Sequence, residues 1–334
     1  MRIAFFELEG WEERRIRDEF HDHEVVLTSA RMTADALPAE RSAEVASVFV
    51  DSRVTAEVLA AFPNLKFIVT RSTGYDHVDV AACRARGVGV GYVPGYGDNT
   101  VAEYAFGLLL MLTRKLYPAV DRVKEQHSFA REGLRGTDLK GKMLGVIGTG
   151  RIGTEAIKIG QGFGMQVVAF DPFPNLAYAA ENRFTYLTLN ELLAASDVVT
   201  VHCPLTPQTR HLLNRENLLR VKRGCYLVNT ARGPIVETTG IVAALEAGRL
   251  AGVALDVLEE EGEIKDEMHF LAHAHPKAEE LEAMLATHAL IAQPNVLVTP
   301  HNAFNSQEAF GRILATTTQT IRGFLEGKPV NLVP

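Results

Sequence analysis

A glycine-rich loop is the first segment of this sequence that could do chemistry. Gly148-Thr-Gly150-Arg151-Ile152-Gly153 directly follows an apolar run that predicts a strand, and it leads straight into a predicted helix. In that context the first glycine allows a tight turn, the second lets the backbone approach a diphosphate, and the third lets the helix pack on the strand. The start of the helix adds N–H groups and partial positive charge. An ordinary strand-to-helix turn is the alternative, but the loop, with Arg151 and Ile152, predicts a dinucleotide-binding site.

An acidic residue follows at the position that such a site needs. Asp171 ends the next predicted strand, roughly 20 residues after the loop, where a carboxylate can accept hydrogen bonds from both hydroxyls of a ribose. The next residues are Pro172-Phe173-Pro174, without an arginine to pair with a 2′-phosphate. The sequence therefore predicts NAD, and not NADP, as the cofactor.

Four further motifs follow the glycine loop along the chain: His202-Cys-Pro-Leu-Thr-Pro-Gln-Thr209, Val228-Asn-Thr-Ala-Arg-Gly233, Leu255-Asp-Val-Leu-Glu-Glu-Glu261 and Val298-Thr-Pro-His301. Together with the loop, they resemble the signatures of the NAD-dependent D-isomer-specific 2-hydroxyacid dehydrogenases over nearly the whole chain. Within that family the chain is most similar to D-lactate dehydrogenases. This closer likeness rests on the long insert after Glu261 and on Arg71-Ser-Thr-Gly74, Val93-Pro-Gly-Tyr96 and His301-Asn-Ala-Phe304.

The resemblance implies a fold and an assembly. It predicts two Rossmann/flavodoxin-like α/β domains, each a doubly wound parallel sheet, separated by an active-site cleft. Residues 1–100 and 301–334 would form the substrate-binding domain, and residues 101–300 the NAD-binding domain. Members of the family are usually dimers joined through their nucleotide domains, so a homodimer is expected.

The resemblance also assigns the reduction of a 2-keto acid to three side chains. Arg232 supplies a planar guanidinium that can grip a carboxylate or the 2-oxygen through two hydrogen bonds, with an ordinary salt bridge as the alternative. His301 directly follows the last apolar strand and titrates near neutral pH, so it can give a proton and take it back. Glu261 matches the acid that pairs with this histidine and favours its imidazolium form. An acidic surface turn, shared with Glu259 and Glu260, is the rival interpretation.

Other predicted contacts surround the cofactor and the substrate. By resemblance, Asp256 would bond the carboxamide of nicotinamide. Backbone amides of Thr73 and Gly74 would hold the substrate carboxylate, and Tyr96 and Phe304 would shape the pocket, although aromatic side chains more often belong to a core. The remaining cofactor contacts implied by the resemblance are Cys203, Pro204, Thr209, Thr230 and Ala231.

Short apolar runs that alternate with helical stretches predict the elements that position these residues, and they indicate an α/β fold. A capping box of Thr100 and Glu103 predicts the start of a long buried helix, and Glu12–Glu19 is expected to form an exposed helix. The predicted strands are Arg2–Phe6, Ser47–Val50, Lys66–Thr70, Met143–Gly148, Gln166–Phe170, Val198–His202, Tyr226–Asn229, Gly252–Val257 and Asn295–Thr299.

The composition excludes several other classes of protein. The chain has 334 residues, 47% hydrophobic and 22% charged, which suits a globular protein with a large core. Its net charge of −7 does not favour nucleic acid or an anionic membrane as a partner. Three widely spaced cysteines argue against disulfides or a thiolate metal site, and His269, His273, His275 and His288 lack a regular ligand spacing. Early acidic residues argue against a secretory signal. We expect a cytoplasmic protein that binds no metal.

Two other functions remain open at this stage. One is a dehydrogenase for another 2-keto acid, such as glyoxylate, hydroxypyruvate or a bulkier acid. The other is an NAD(H)-sensing binding protein, because transcriptional corepressors share this fold and its catalytic triad. No low-complexity extension accompanies the motifs, so interconversion of D-lactate and pyruvate is the expected activity.

Overall fold

The computed structural model describes residues 1–259 and 278–334. The chain divides into two compact units, Met1–Tyr96 with Asn305–Pro334, and Gly97–Phe304. Each unit contains one sheet whose strand pairings are parallel, and this confirms the predicted α/β class. The assignment of residues 1–100 and 301–334 to substrate binding, and of residues 101–300 to NAD binding, stays a prediction.

The first unit is built on a five-stranded sheet. Buried residues fill its central strands because helices cover both faces, as is usual for parallel sheets. On one face, the ring of Phe67 stacks on that of Phe324 with centroids 4.4 Å apart, which joins the C-terminal helix to this unit. The elements are β1 (Arg2–Phe5), α1 (Gly10–Glu19), β2 (Glu24–Leu27), β3 (Val45–Val48), α2 (Ala56–Ala60), β4 (Phe67–Thr70), α3 (Val80–Ala85), β5 (Gly89–Gly91) and the C-terminal α12 (Gln307–Leu325), with strand order β2-β1-β3-β4-β5.

The second unit is built on a seven-stranded sheet. Its strands are β6 (Met143–Ile147), β7 (Gln166–Phe170), β8 (Thr185–Tyr186), β9 (Val198–Val201), β10 (Cys225–Asn229), β11 (Leu250–Leu255) and β12 (Val296–Val298). Its helices are α4 (Asp98–Thr113), α5 (Leu116–Lys124), α6 (Arg151–Gly162), α7 (Leu176–Glu181), α8 (Leu189–Ala195), α9 (Arg215–Leu218), α10 (Thr238–Glu246) and α11 (Ala278–Ile291), and Gly233–Ile235 forms a 3₁₀ turn.

The strand order of this second sheet reverses direction at one point. The order is β12-β11-β10-β9-β6-β7-β8, so the chain runs from β6 outward to β8 and returns to β9 on the other side of β6. Ligands bind at such a switch point, outside the carboxyl ends of the strands. A ligand-binding site is therefore expected at the segments that follow β6 and β9.

Several predicted details were wrong. Helix α4 begins at Asp98 after Gly97 and has no side-chain cap, so Thr100 lies inside the helix and does not form a capping box with Glu103. The predicted helix over Glu12–Glu19 is mostly exposed, as expected, but Glu12 itself is buried, with 2% of its surface exposed. The long buried helix that was predicted in this region is confirmed as α4. None of the described helices is long and apolar enough to cross a membrane.

Candidate active site

The glycine loop has the backbone that a diphosphate requires. Gly148 has a φ of +90°, and a Cβ there would lie 2.7 Å from the backbone nitrogen of Cys203. A Cβ on Gly153 would lie 1.9 Å from the carbonyl oxygen of Gly148, so only glycine lets α6 start this close to the strand. A Cβ on Gly150 would meet no described atom within 4 Å, and no described side chain caps α6 there. The space in front of this helix N-terminus suits an anionic group.

Asp171 follows directly after β7, and three donors hold its carboxylate. Oδ2 accepts from the N–H of Thr149 at 2.8 Å and from the Thr149 hydroxyl at 3.1 Å, and Oδ1 accepts from the N–H of Phe173 at 2.9 Å. The carboxylate thus lies beside the glycine loop, where a ribose acceptor is needed. Arg151 of that loop pairs with Asp98 at 2.7 Å.

Two buried polar atoms near the switch point have no hydrogen-bond partner in the described part of the chain. They are Nδ1 of His202 and Oγ1 of Thr230. Val201 pairs with Asn229 in the sheet, so His202 and Thr230, the residues that follow them, lie at the ends of neighbouring strands. Each unpaired group costs about 1–3 kcal/mol, a cost that a polar ligand would remove. The glycine loop and these two atoms together fit a dinucleotide with its ribose and carboxamide groups.

The imidazole of His202 is neutral at physiological pH. Its Nε2 lies 2.9 Å from the hydroxyl oxygen of Thr200, and burial lowers the pKa of His202 to about 4. Only one ring nitrogen of a neutral imidazole carries a proton, so Nδ1 is either a donor or an acceptor, according to the direction of the bond to Thr200. The resemblance had not singled out this residue, although it begins one of the motifs.

The segment after β9 forms a turn against the glycine loop. Burial raises the pKa of Cys203 to about 11, so its thiol is neutral. The hydroxyl of Thr209 donates to the carbonyl oxygen of Pro204 at 2.6 Å and closes the turn. Thr209 thus has a structural role here, and the contacts of all three residues with the cofactor stay predictions.

Arg232 stands at the start of the tight turn after β10, and Asn229 fixes that turn from both sides. The Asn229 side chain accepts from the N–H of Ala231 and donates to the carbonyl oxygen of Arg232, both at 3.0 Å. The guanidinium Nη1 of Arg232 donates to the carbonyl oxygen of Ala231 at 2.8 Å. A cation is thereby held at the carboxyl end of a central strand.

Glu259 has structural partners that the sequence did not indicate. Its Oε2 accepts from the N–H of Thr238 at 3.0 Å and from the Thr238 hydroxyl at 2.9 Å, and its Oε1 pairs with Nε2 of His211. A Cβ on Gly233 would lie 1.9 Å from the carbonyl oxygen of Leu258, so the turn after Arg232 packs directly on this segment. Glu259 is thus already engaged. Glu261, the predicted partner of His301, lies outside the described residues.

Asp256 organises the loop that carries His301. Its Oδ1 accepts from the N–H of Asn302 at 2.8 Å and its Oδ2 from the N–H of Ala303 at 2.7 Å, while the hydroxyl of Thr299 also donates to Oδ1. Burial raises the pKa of the Asp256 carboxyl above its usual range, and these hydrogen bonds oppose the rise. The predicted bond from Asp256 to a carboxamide stays a prediction, and the loop bonds are an additional role.

The predicted substrate contacts are divided between the units. In the first unit, the hydroxyl of Thr73 donates to the carbonyl oxygen of Val93 at 2.8 Å, in the turn that also contains Gly74. The carbonyl oxygen of Tyr96 accepts from Nε of Arg312 at 2.5 Å in the same unit. Phe304 belongs to the second unit, where its ring centroid lies 6.4 Å from that of His301.

A buried ion pair lies at the carboxyl end of the first sheet. Arg71, directly after β4, donates to the carbonyl oxygens of Phe6 at 2.9 Å and Glu7 at 2.8 Å, and its guanidinium lies 3.9 Å from the carboxylate of Glu12. Burial raises the pKa of Glu12 and lowers that of Arg71. An arginine directly after a buried strand was the one sequence signal for this pair.

Comparison with known proteins identifies the family. Residues 106–303 match the family described as D-isomer specific 2-hydroxyacid dehydrogenase, NAD binding domain. A 2-hydroxyacid dehydrogenase homolog from Zymomonas mobilis is 37% identical, with 98% of each chain covered. A D-lactate dehydrogenase from Escherichia coli is 32% identical, also with 98% of each chain covered.

Solved structures agree with the sequence relatives. The crystal structure of a D-lactate dehydrogenase from Aquifex aeolicus, complexed with NAD and lactic acid, has a TM-score of 0.83 and 32% identity. The comparison covers 98% of this chain and 96% of that one. The parallel α/β sheets, the glycine loop and the match to the NAD-binding family all lead to one conclusion: this chain belongs to the NAD-dependent D-isomer specific 2-hydroxyacid dehydrogenases.

Proposed function

We propose that this chain interconverts pyruvate and D-lactate with NAD(H). One observation of the second unit carries the proposal. The glycine loop, Asp171, Arg232, Asp256 and His301 follow the carboxyl ends of strands β6, β7, β10, β11 and β12 of a single parallel sheet. That edge is where ligands bind in sheets of this kind, and these residue types are the ones that reduction of a 2-keto acid needs.

The loop residues Gly148 to Gly153 and Asp171 would hold NADH, which supplies the hydride when bound. The helix N-terminus at Gly150 would face the diphosphate, and Asp171 would accept from the adenosine ribose. Thr230 and His202 offer the buried polar atoms that have no hydrogen-bond partner among residues 1–259 and 278–334. Asp256, Cys203, Pro204, Thr209 and Ala231 are the further proposed cofactor contacts.

On the substrate, Arg232 and His301 would have separate tasks. The guanidinium of Arg232 would hold the 2-keto acid through paired hydrogen bonds, which orients the carbonyl group. The imidazolium of His301 would donate its proton to the carbonyl oxygen as it becomes an alkoxide, and the neutral imidazole would take the proton back in lactate oxidation. Glu261 would stabilise the imidazolium. Thr73, Gly74, Tyr96 and Phe304 would bound the substrate.

Two of the similar proteins favour pyruvate among the 2-keto acids. A D-lactate dehydrogenase lies among the sequence relatives that match over nearly the full length, and a structural neighbour was solved with NAD and lactic acid. Those substrates are properties of those proteins. Their agreement with the residues above supports the same substrate here.

A panel of initial rates tests this function. NADH oxidation is followed with pyruvate, glyoxylate, hydroxypyruvate, 2-ketoisocaproate and phenylpyruvate, and the product of pyruvate is assigned as D- or L-lactate. We expect the highest kcat/KM for pyruvate and a D product. A tenfold preference for another acid would contradict the proposed substrate. Binding of NADH without turnover of any acid would favour an NAD(H)-sensing protein.

We also propose a homodimer in a reducing, cytoplasmic setting. Helix α5 leaves a row of apolar side chains open to solvent: Leu116 (46% exposed), Tyr117 (58%), Val120 (54%) and Val123 (41%). Such a face is typical of a surface that a second chain covers. Cys83, Cys203 and Cys225 are all free thiols, which suits a reducing compartment. Sedimentation should show a dimer for the parent protein and a monomer for Val120→Glu.

A further inference from the structure

A chain of hydroxyl groups ends on the carboxylate of Asp171. The hydroxyl oxygen of Thr149 lies 3.1 Å from Oδ2 of Asp171 and 2.8 Å from the phenol oxygen of Tyr186. That phenol oxygen accepts from the N–H of Asn175 at 3.3 Å. Four residues from three separate segments of the second unit are therefore linked in sequence.

The direction of these hydrogen bonds follows from counting hydrogens. An ionised carboxylate can only accept, so Thr149 must spend its single hydroxyl hydrogen on Asp171. Tyr186 must then donate to the hydroxyl oxygen of Thr149, and it accepts from Asn175. Every donor in the chain points towards Asp171, an arrangement in which each bond strengthens the next.

These bonds fix the orientation of Asp171. The carboxylate also accepts the N–H of Thr149 and the N–H of Phe173, so three protein donors occupy most of its roughly four acceptor directions. Rotation of the carboxylate would break at least one of these bonds. One acceptor direction of the Asp171 carboxylate is left, and a ligand must approach from that direction.

We propose that Tyr186, acting through Thr149, is a positioning residue that sets the preference of this chain for NAD over NADP. The inference rests on the proposed role of Asp171 as the acceptor for the adenosine ribose. A rigid carboxylate with one acceptor direction left can bind a ribose hydroxyl there and cannot turn away from a 2′-phosphate. The basic residue of the glycine loop, Arg151, is paired with Asp98 and does not offset that repulsion.

The test measures binding directly, by calorimetry, with NADH and NADPH as probes. Tyr186→Phe keeps the ring and removes the donor to Thr149. We expect its Kd for NADH to rise about two- to tenfold, the usual effect of one lost hydrogen bond. The Kd for NADPH should rise less or fall, so the ratio of the two constants shrinks. Thr149→Val should do the same, and Thr149→Ser should restore the ratio.

The chain offers a matched control in the same aromatic cluster. Tyr178 and Tyr186 both pack against Phe184, but the buried hydroxyl of Tyr178 has no hydrogen-bond partner in the described residues. Tyr178→Phe should therefore leave both dissociation constants unchanged. If Tyr186→Phe and Tyr178→Phe weaken NADH and NADPH equally, the tyrosine only supports the fold and the proposal is overturned.

Asp171→Ala distinguishes the ribose role of Asp171 from the positioning role of Tyr186. If this variant binds NADH as well as the parent does, the ribose role of Asp171 is wrong. If it weakens NADH but Tyr186→Phe does not, the ribose role stands and the positioning role of Tyr186 is overturned. In the double variant, Tyr186→Phe should add nothing to the effect of Asp171→Ala, because Thr149 and Tyr186 then have no carboxylate to position.

Discussion

The N–H of His301 donates to the carbonyl oxygen of Asp256 at 2.8 Å, and the carboxylate of Asp256 accepts the next two N–H groups of the same loop. His301 has a φ of +52°, in the left-handed region that few residues other than glycine adopt. Such a backbone persists only where the surroundings enforce it. Asp256 provides that enforcement from a position that is only 1% exposed.

Asp256→Asn should therefore cost both activity and stability. An amide NH₂ cannot accept, so one loop N–H loses its partner, and we expect a loss of about 1–3 kcal/mol in the free energy of unfolding. The kcat for pyruvate should fall by more than tenfold, since His301 loses its fixed position. Urea unfolding and steady-state rates measure both effects. Asp79→Asn, at an exposed helix cap in the other unit, is the control. Wild-type kcat in Asp256→Asn would contradict this role.

The acid that pairs with His301 can be identified by its effect on the pH profile. His301→Ala should lower kcat by roughly 10²–10⁴ without weakening NADH binding. Glu261→Gln removes the charge that favours imidazolium, so the falling alkaline limb of pyruvate reduction should move to lower pH, with activity largely restored in acid.

Glu259→Gln is the matched control for this pair. Glu259 already binds Thr238 and His211, so its loss should lower stability and leave the alkaline limb where it was. The apparent titration belongs to the coupled pair and not to one residue. A shift of the limb in Glu259→Gln, but not in Glu261→Gln, would show that the paired acid is misassigned.

Arg232→Lys should be severely impaired although it keeps the positive charge. One ammonium group cannot reproduce a planar grip with two parallel hydrogen bonds, so KM for pyruvate should rise and kcat should fall while the Kd for NADH stays constant. Arg220→Lys is a suitable control, because among the described residues the guanidinium of Arg220 pairs with Glu216 at the exposed surface. If both variants keep near wild-type constants, Arg232 is structural.

The sequence predicted the central strands well and found the edge strand β12 as Asn295–Thr299, but it missed three other edge strands. Predicted Gln166–Phe170 agrees with β7, and Tyr226–Asn229 differs from β10 by one residue. Parallel strands buried on both faces are continuous apolar runs, which makes them easy to recognise. Strands β2, β5 and β8 lie at sheet edges, and Thr185 and Glu24 are exposed there. Each of these three strands pairs with a neighbour on one side only and is short. Such a strand carries too few apolar residues to be distinguished from a loop in the sequence.

Motifs predicted the site residues but not the interactions that hold them. Asp171 could be identified because its distance from the glycine loop is set by one strand-helix-strand unit. Its link to Tyr186 could not, because the two residues are joined through Thr149 in three dimensions and by no periodic spacing. The same holds for Glu259 and His211. Side-chain networks depend on packing between elements, which a single sequence does not encode locally.

Gly150→Ala should weaken cofactor binding without loss of stability. A Cβ at Gly150 meets no protein atom within 4 Å, so the fold accommodates it, but it would occupy the space in front of α6 that a diphosphate requires. We expect the Kd for NADH, measured by fluorescence, to rise at least tenfold with an unchanged Tm. Gly162→Ala is the control in the same helix, where a Cβ also meets nothing. Equal NADH binding in the two variants would place the diphosphate elsewhere.

His202 should make stability depend on pH in a defined window. Burial lowers its pKa from 6.5 to about 4. Between those values the unfolded chain binds a proton that the folded chain does not, so stability is complete above pH 6.5 and is lost as the pH falls towards 4. At about 1.4 kcal/mol per pH unit, the loss approaches about 3 kcal/mol.

His202→Asn removes this titration and keeps a polar side chain at the same position. Urea unfolding followed by circular dichroism between pH 4.5 and 7 should give a shallower pH dependence for this variant than for the parent, because the carboxylates contribute equally to both. His21→Asn changes an exposed histidine in the first unit and should keep the parental slope. If His202→Asn and the parent lose stability in parallel down to pH 4.5, folding does not lower the pKa of His202, and the burial effect described here is wrong.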